Sequence, residues 1–142
     1  MFHKSPDERL SAWKSLREQI NESDTPLEAV AEFWGDVPLI SYNHLIDQYN
    51  PKSWPTPWHL LNNNGYCELA RALGIVYTIM IIENRTYTDL KIVQTKEDNL
   101  VLVDDGKYIL NWAPGEMLNT HSTPIPTVKN AIDSSELESF LQ

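Results

Sequence analysis

The chain has a single cysteine, Cys67, among 142 residues, so no internal disulfide can form and any zinc site would have to come from scattered histidines and carboxylates. That points to a reducing compartment. Basic residues are in the minority, with 11 Lys plus Arg against 20 Asp plus Glu and a formal net charge of −9. With no Lys/Arg cluster to offset that average, nucleic acid and anionic lipid are excluded as expected partners. Long hydrophobic runs are absent as well. The longest, Ile75 to Ile82, is too short to span a bilayer, and Met1 to Leu10 has no apolar h-region of a secretory signal. The expectation is a cytoplasmic protein with no membrane segment. There is no internal repeat or low-complexity tract, and a composition of 42% hydrophobic and 22% charged residues argues against disordered, collagen-like and coiled-coil classes.

What is present describes an ordinary globular chain, with 42% hydrophobic and 22% charged residues. A chain of this length forms one domain, residues 1–142, and buries roughly 68–70% of its unfolded surface. Ser5-Pro6-Asp7-Glu8 places a capping hydroxyl, a first-turn proline and two acids at a helix start. Leu10, Trp13, Leu16 and Ile20 then form one apolar stripe ending near Asn21. Thr25-Pro26-Leu27-Glu28 repeats the device, and Leu27, Val30, Ala31 and Trp34 form a second stripe stopped by Gly35. Pro38 to Tyr42 reads as an edge strand or an extended connector. Pro51, Pro55 and Pro57, interleaved with Trp54 and Trp58, forbid continuous helix and imply a structured loop. A short helix starts at Thr56-Pro57, the asparagines at 62–64 break it, and Tyr66, Leu69, Ala70 and Leu73 resume helical spacing until Gly74.

From Ile75 to Ile82 the β-branched apolar run predicts a central strand covered on both faces. Tyr87 to Thr95 alternates like a half-buried strand. Leu100 to Asp104, Asp105-Gly106, and Lys107 to Trp112 predict a β-hairpin. Beyond Pro114 a polar, proline-interrupted surface arm is expected through Thr127, followed by a short terminal helix capped by Asp133 to Glu136 and presenting Leu137, Phe140 and Leu141. Helices first, then an antiparallel sheet of three to five strands, is the α+β class.

Cys67 is the first candidate for chemistry. In the first turn of a fresh helix, unpaired N–H groups and the dipole favour a thiolate; alternatively, a lone cysteine beside Leu69 and Ala70 fills core. The segment Thr56 to Ile75, through Asn64-Gly65-Tyr66-Cys67-Glu68 and on to Leu73-Gly74-Ile75, resembles the nucleophile segment of transglutaminase-like cysteine peptidase folds. That resemblance implies a Cys-His-Asp triad in which Asp104 matches the acid, with Asp105 as the fallback. The chain departs from the pattern in two ways. The step from Cys67 to Gly74 is only seven residues, about half the usual helix, and the strand that should carry the histidine reads Thr86-Tyr87-Thr88-Asp89. Without a base the thiol is a poor acyl-transfer catalyst. The remaining histidines are His59, His44, His121 and His3; His44 with Asp47 lacks a second pair for a metal site. No cofactor is implied.

The second candidate is Trp54-Pro55-Thr56-Pro57-Trp58, either an aromatic platform for a partner protein or sugar, or a corner tucked into the core. This region through Cys67 also resembles small proteins of marine tailed bacteriophages. The resulting expectation is a noncatalytic accessory or interaction protein, phage-derived, that contacts a protein partner through Trp54, Trp58 or Trp112. The alternative is a thiol hydrolase or acyltransferase. There Cys67 is the nucleophile, His59, His44 or His121 the base, Asp104 the orienting acid, and the Cys67 or Glu68 N–H the oxyanion donor.

Overall fold

The structure, a computed structural model, describes residues 5–37, 50–62, 66–82, 87, 89–96, 98–119 and 127–141. Helix α1, Pro6–Glu22, begins as its sequence predicts: the Ser5 hydroxyl accepts from the Glu8 N–H at 3.3 Å and donates to Glu8 Oε1 at 3.0 Å. Its stripe buries Trp13, Leu16 and Ile20. Helix α2, Pro26–Gly35, turns Leu27, Val30, Ala31 and Trp34 inward and packs on α1. The segment Pro38 to Tyr42 lies outside the described residues. The proline-rich stretch forms a 3-10 turn, Pro51–Ser53, and the short helix α3, Pro57–Asn62.

Helix α4, Glu68–Met80, corrects the expectation of a strand at Ile75 to Ile82. It is the central element, with every residue from Leu69 to Ile79 buried, because α2, α3 and the sheet pack around it. A helix that is apolar on all sides shows no stripe, and the β-branched Ile75, Val76 and Ile79 imitate a covered strand. Gly74 is not a stop but lies inside the helix. A Cβ there would stand 2.6 Å from Trp34 ring carbons, so only glycine lets the indole rest on the helix backbone.

One turn later Thr78 locks that joint. Its Oγ1 accepts the Nε1–H of Trp13 at 3.0 Å and of Trp34 at 2.9 Å, and donates to the Gly74 carbonyl at 2.7 Å. Both acceptor positions and the single donor of the hydroxyl are used. Three helices are thereby tied through one buried side chain.

The sheet has five antiparallel strands in the order β4-β3-β2-β1-β5. These are β1, Lys91–Gln94; β2, Asn99–Val103; β3, Tyr108–Leu110; β4, Met117–Asn119; and β5, Asn130–Asp133. The row Ile132, Ile92, Val101 and Leu110, set by the register, belongs to the main core with the helices. Val93, Leu100, Leu102 and Ile109 form a smaller cluster on the other face. The hairpin between β2 and β3 turns at Asp105-Gly106, with φ of 58° and 82° and a Lys107 N–H to Asp104 O bond of 3.2 Å. Asp104 also has positive φ, 55°, so three successive left-handed residues reverse the chain between Val103 and Tyr108, a conformation that Asp and Gly tolerate best.

The chain beyond Pro114 is not simply a surface arm, since it supplies both edge strands. β4 is three residues long and β5 buries only Ile132, so neither carries a strong alternation. The terminal helix is a 3-10 helix, Ser134–Leu141, started by reciprocal bonds from Ser135 N–H to Asp133 Oδ2 and from Asp133 N–H to Glu136 Oε2, both 3.0 Å. Among the described residues, no helix is long and apolar enough to cross a membrane.

Candidate functional site

Cys67 is the N-cap residue of α4, in extended backbone with φ −78° and ψ 170°. Its carbonyl accepts the first helical bond, from Arg71 N–H at 3.1 Å. The side chain makes no capping hydrogen bond. Only 2% of the residue is exposed, and it belongs to the main core. The thiol therefore occupies a small apolar site beneath the helix end, the setting in which free cysteine behaves as a hydrophobe.

The groups gathered at this end of α4 are amides, the buried Arg71 guanidinium and the carboxyls of Glu68 and Asp98. Glu68 Oε1 accepts the Asn99 N–H at 3.1 Å, which joins the helix start to the first residue of β2. Asn111, after β3, donates Nδ2–H to Asn99 O at 2.7 Å and to Glu68 O at 3.2 Å, and its Oδ1 accepts from Arg71 Nε–H. Asn111 holds a φ of 66°, a left-handed conformation that asparagine tolerates better than most residues. Gln94 donates to Asn99 Oδ1 at 3.0 Å and accepts from Asn130 Nδ2–H at 3.1 Å, so an amide ladder crosses β5, β1 and β2. Arg71 is 5% exposed. Burial pushes its guanidinium down from the ordinary arginine range, opposed by the nearby Glu68 charge. Burial likewise pushes the Glu68 carboxyl up; the Asn99 N–H opposes this and the Asp98 carboxylate adds to it.

Asp104 does not join this cluster. Asn99, beside Glu68, opens β2, whereas Asp104 follows its last residue. Five residue steps along a strand separate the two by roughly 17 Å. The structure thus puts the acid named by the resemblance at the opposite end of the strand from the thiol. Asp105 is one residue further out. His59 is exposed on α3, its N–H donating to Thr56 Oγ1 at 3.3 Å. His3, His44 and His121 lie outside the described residues. Among the described residues, no group of three His, Cys, Asp or Glu side chains is placed to hold a metal.

The tryptophans divide. Trp54 is 2% exposed and is a core residue, so it offers no surface contact. The proline loop has folded its first ring inward, as indoles generally prefer. Trp58 is 47% exposed and meets Trp13 edge-on at 5.7 Å between centroids, and the Arg17 guanidinium lies over the Trp13 ring, 5.3 Å from its centre. Trp112 is 38% exposed.

Open concave surface lies elsewhere. Two cavities of about 340 and 400 Å³ run between α2 and the β3–β4 edge of the sheet. They share Glu28 and Met117 and so lie side by side, two parts of a trough along α2. Asp24, Glu28 and Asp104 line one part, and Glu28, Glu32 and Glu116 the other. Tyr87, Tyr108, Met117 and Leu118 supply its less polar surface. The close approach of Gly35 to Gly115, where an added Cβ would stand 2.4 Å from the Gly115 nitrogen, seats the C-terminal end of α2 against this edge. The sequence singled out Asp104 here for a different role. The other carboxylates carried no signal, because Asp24, Glu28 and Glu32 come from the start and face of α2 and Glu116 from a turn roughly 90 residues later in the chain. No family model, curated protein or solved structure matches the chain.

Proposed function

We propose that this protein is a noncatalytic accessory domain of the cytoplasm that works by binding another protein. The observation that carries this reading is the composition of the thiol's end of α4. Cys67 is buried, Asn99 and Asn111 bond to Glu68, the Asp98 carboxylate meets Glu68, and the described histidine, His59, is exposed on α3. An amide neither takes a proton from a thiol nor returns one to a leaving group, and the carboxylates at this end are engaged with one another and with the Asn99 N–H. The helix-on-sheet arrangement is compatible with a shortened transglutaminase-like scaffold whose chemical centre has become structural, and a phage origin accords with the second resemblance. Accessible concave surface in the trough, together with exposed Trp58 and Trp112, gives the domain its contact area.

The test is covalent. The protein is incubated with an activated acyl ester and, separately, with iodoacetamide at neutral pH, and the intact mass is followed. The expected result is an unchanged mass at Cys67 and ester hydrolysis equal to that of Cys67→Ala. A Cys67-dependent acyl adduct with turnover would establish the thiol acyltransferase instead.

A further inference from the structure

We propose that the trough beside α2 receives a basic, extended peptide segment of a partner protein, which pairs with β4 as a sixth strand of the sheet. This rests on the interaction reading above and specifies its partner. Three separate features converge on it: an edge, a space and a charge.

The edge is β4. It closes the sheet order on one side, pairing with β3 through Tyr108–Asn119, Ile109–Leu118 and Leu110–Met117. Among the described residues no strand pairs with its outer side. An edge strand presents backbone N–H and C=O groups that an added strand satisfies, and this is a recurring mode of peptide recognition.

The space is the trough itself, about 340 and 400 Å³ in its two parts. Its helical wall runs along α2 from Pro26 to Glu32, six residue steps or roughly 9 Å along the helix axis. A three-residue extended segment, the length of β4, covers about 10 Å. The lengths match.

The charge selects the occupant. Five carboxylates, on Asp24, Glu28, Glu32, Asp104 and Glu116, line the two parts, and no Lys or Arg lies among the lining residues. Lys107 rests its ammonium 5.2 Å from the Tyr108 ring centre, so an aromatic face of this rim already accommodates a cation. In a strand, alternate side chains point the same way. A segment with Lys or Arg at every second position turns its cations toward the carboxylates, and its other face carries neutral β-formers.

The experiment uses a fluorescein-labelled hexapeptide with lysine at alternate positions and threonine or valine between, titrated against the full chain by anisotropy. Controls are the same peptide N-methylated at alternate amides, the glutamate analogue, and the variants Glu28→Gln and Glu32→Gln combined. Both substituted residues are exposed, and circular dichroism verifies that the double variant folds. The expected result is saturable binding to the lysine peptide alone, weakened roughly three- to tenfold in the double variant and weakened further by salt. N-methylation should cost about tenfold or more, since it removes donors to the strand edge. Equal binding of the N-methylated peptide overturns strand addition, and binding of the glutamate analogue overturns charge selection. Absence of any saturable binding, with Cys67 still inert, overturns this inference while the noncatalytic reading stands.

Discussion

Thr78→Val is the sharpest perturbation of the fold, because it changes shape very little and hydrogen bonding greatly. The hydroxyl is fully buried and serves Trp13, Trp34 and the Gly74 carbonyl at once. Valine keeps the branched outline but strips both indole N–H groups of this acceptor. A buried donor left without its acceptor costs about 1–3 kcal/mol, so two cost about 2–6 kcal/mol. For a chain of this size each kcal/mol lowers Tm by roughly 3–4 °C, giving a drop of about 6–24 °C. Thr78→Ser is the control. It keeps the oxygen and deletes one methyl, worth about 1 kcal/mol. Urea unfolding followed by tryptophan fluorescence reads both variants directly, with the slope checked for constancy. Serine should therefore be tolerated better than valine, the reverse of what core packing alone dictates. If Thr78→Val proves as stable as Thr78→Ser, the hydroxyl is not the joint between the helices.

Other substitutions test neighbouring claims. Gly74→Ala should lower stability by about 1–3 kcal/mol through overpacking against Trp34, although alanine is the better helix former by about 1 kcal/mol; thermal unfolding decides, and a stabilised variant would contradict the close approach. Gly106→Ala should cost about 1–2 kcal/mol, because φ of 82° is left-handed, and the same measurement reads it. Glu68 supplies a pH dependence. Its carboxyl titrates above the ordinary range, chiefly through burial, so the folded state holds a proton that the unfolded chain has already released. Its contribution to stability therefore falls as pH rises from the ordinary carboxyl value through the raised one. Glu68→Gln, which keeps an oxygen for the Asn99 N–H, should flatten that decline while matching the parent at lower pH; an unchanged profile from urea midpoints at successive pH values would refute the assignment.

Local signals in the sequence were legible where they are chemically self-contained. Ser5-Pro6 and Thr25-Pro26 mark the starts of α1 and α2, and Asp105-Gly106 marks the hairpin turn, because caps and positive φ depend on the residue itself. Period failed where burial is complete. α4 is surrounded, so Ile75 to Ile79 carries no polar side to betray a helix, and Gly74 looked like a terminus when its role is contact with Trp34. The edge strands were hidden by their shortness. The surroundings of the α4 start were not readable either, since Asn99 at the head of β2 and Asn111 just after β3 reach Glu68 through a sheet pairing that no local pattern encodes. Asp104 shows the same limit in reverse: its place in the chain order fits an acid of a triad, but the strand direction carries it away from the thiol.

The reactivity of Cys67 separates a core thiol from a nucleophile. The rate of its modification by an aromatic disulfide should be measured in the native state from pH 6 to 8 and at rising urea concentration. If the thiol is core, labelling is negligible without denaturant and grows in step with the global unfolding transition seen by tryptophan fluorescence. Rapid labelling near pH 6 in buffer alone, at a rate indifferent to urea below the transition, would mean an accessible, activated thiolate and would contradict the noncatalytic reading.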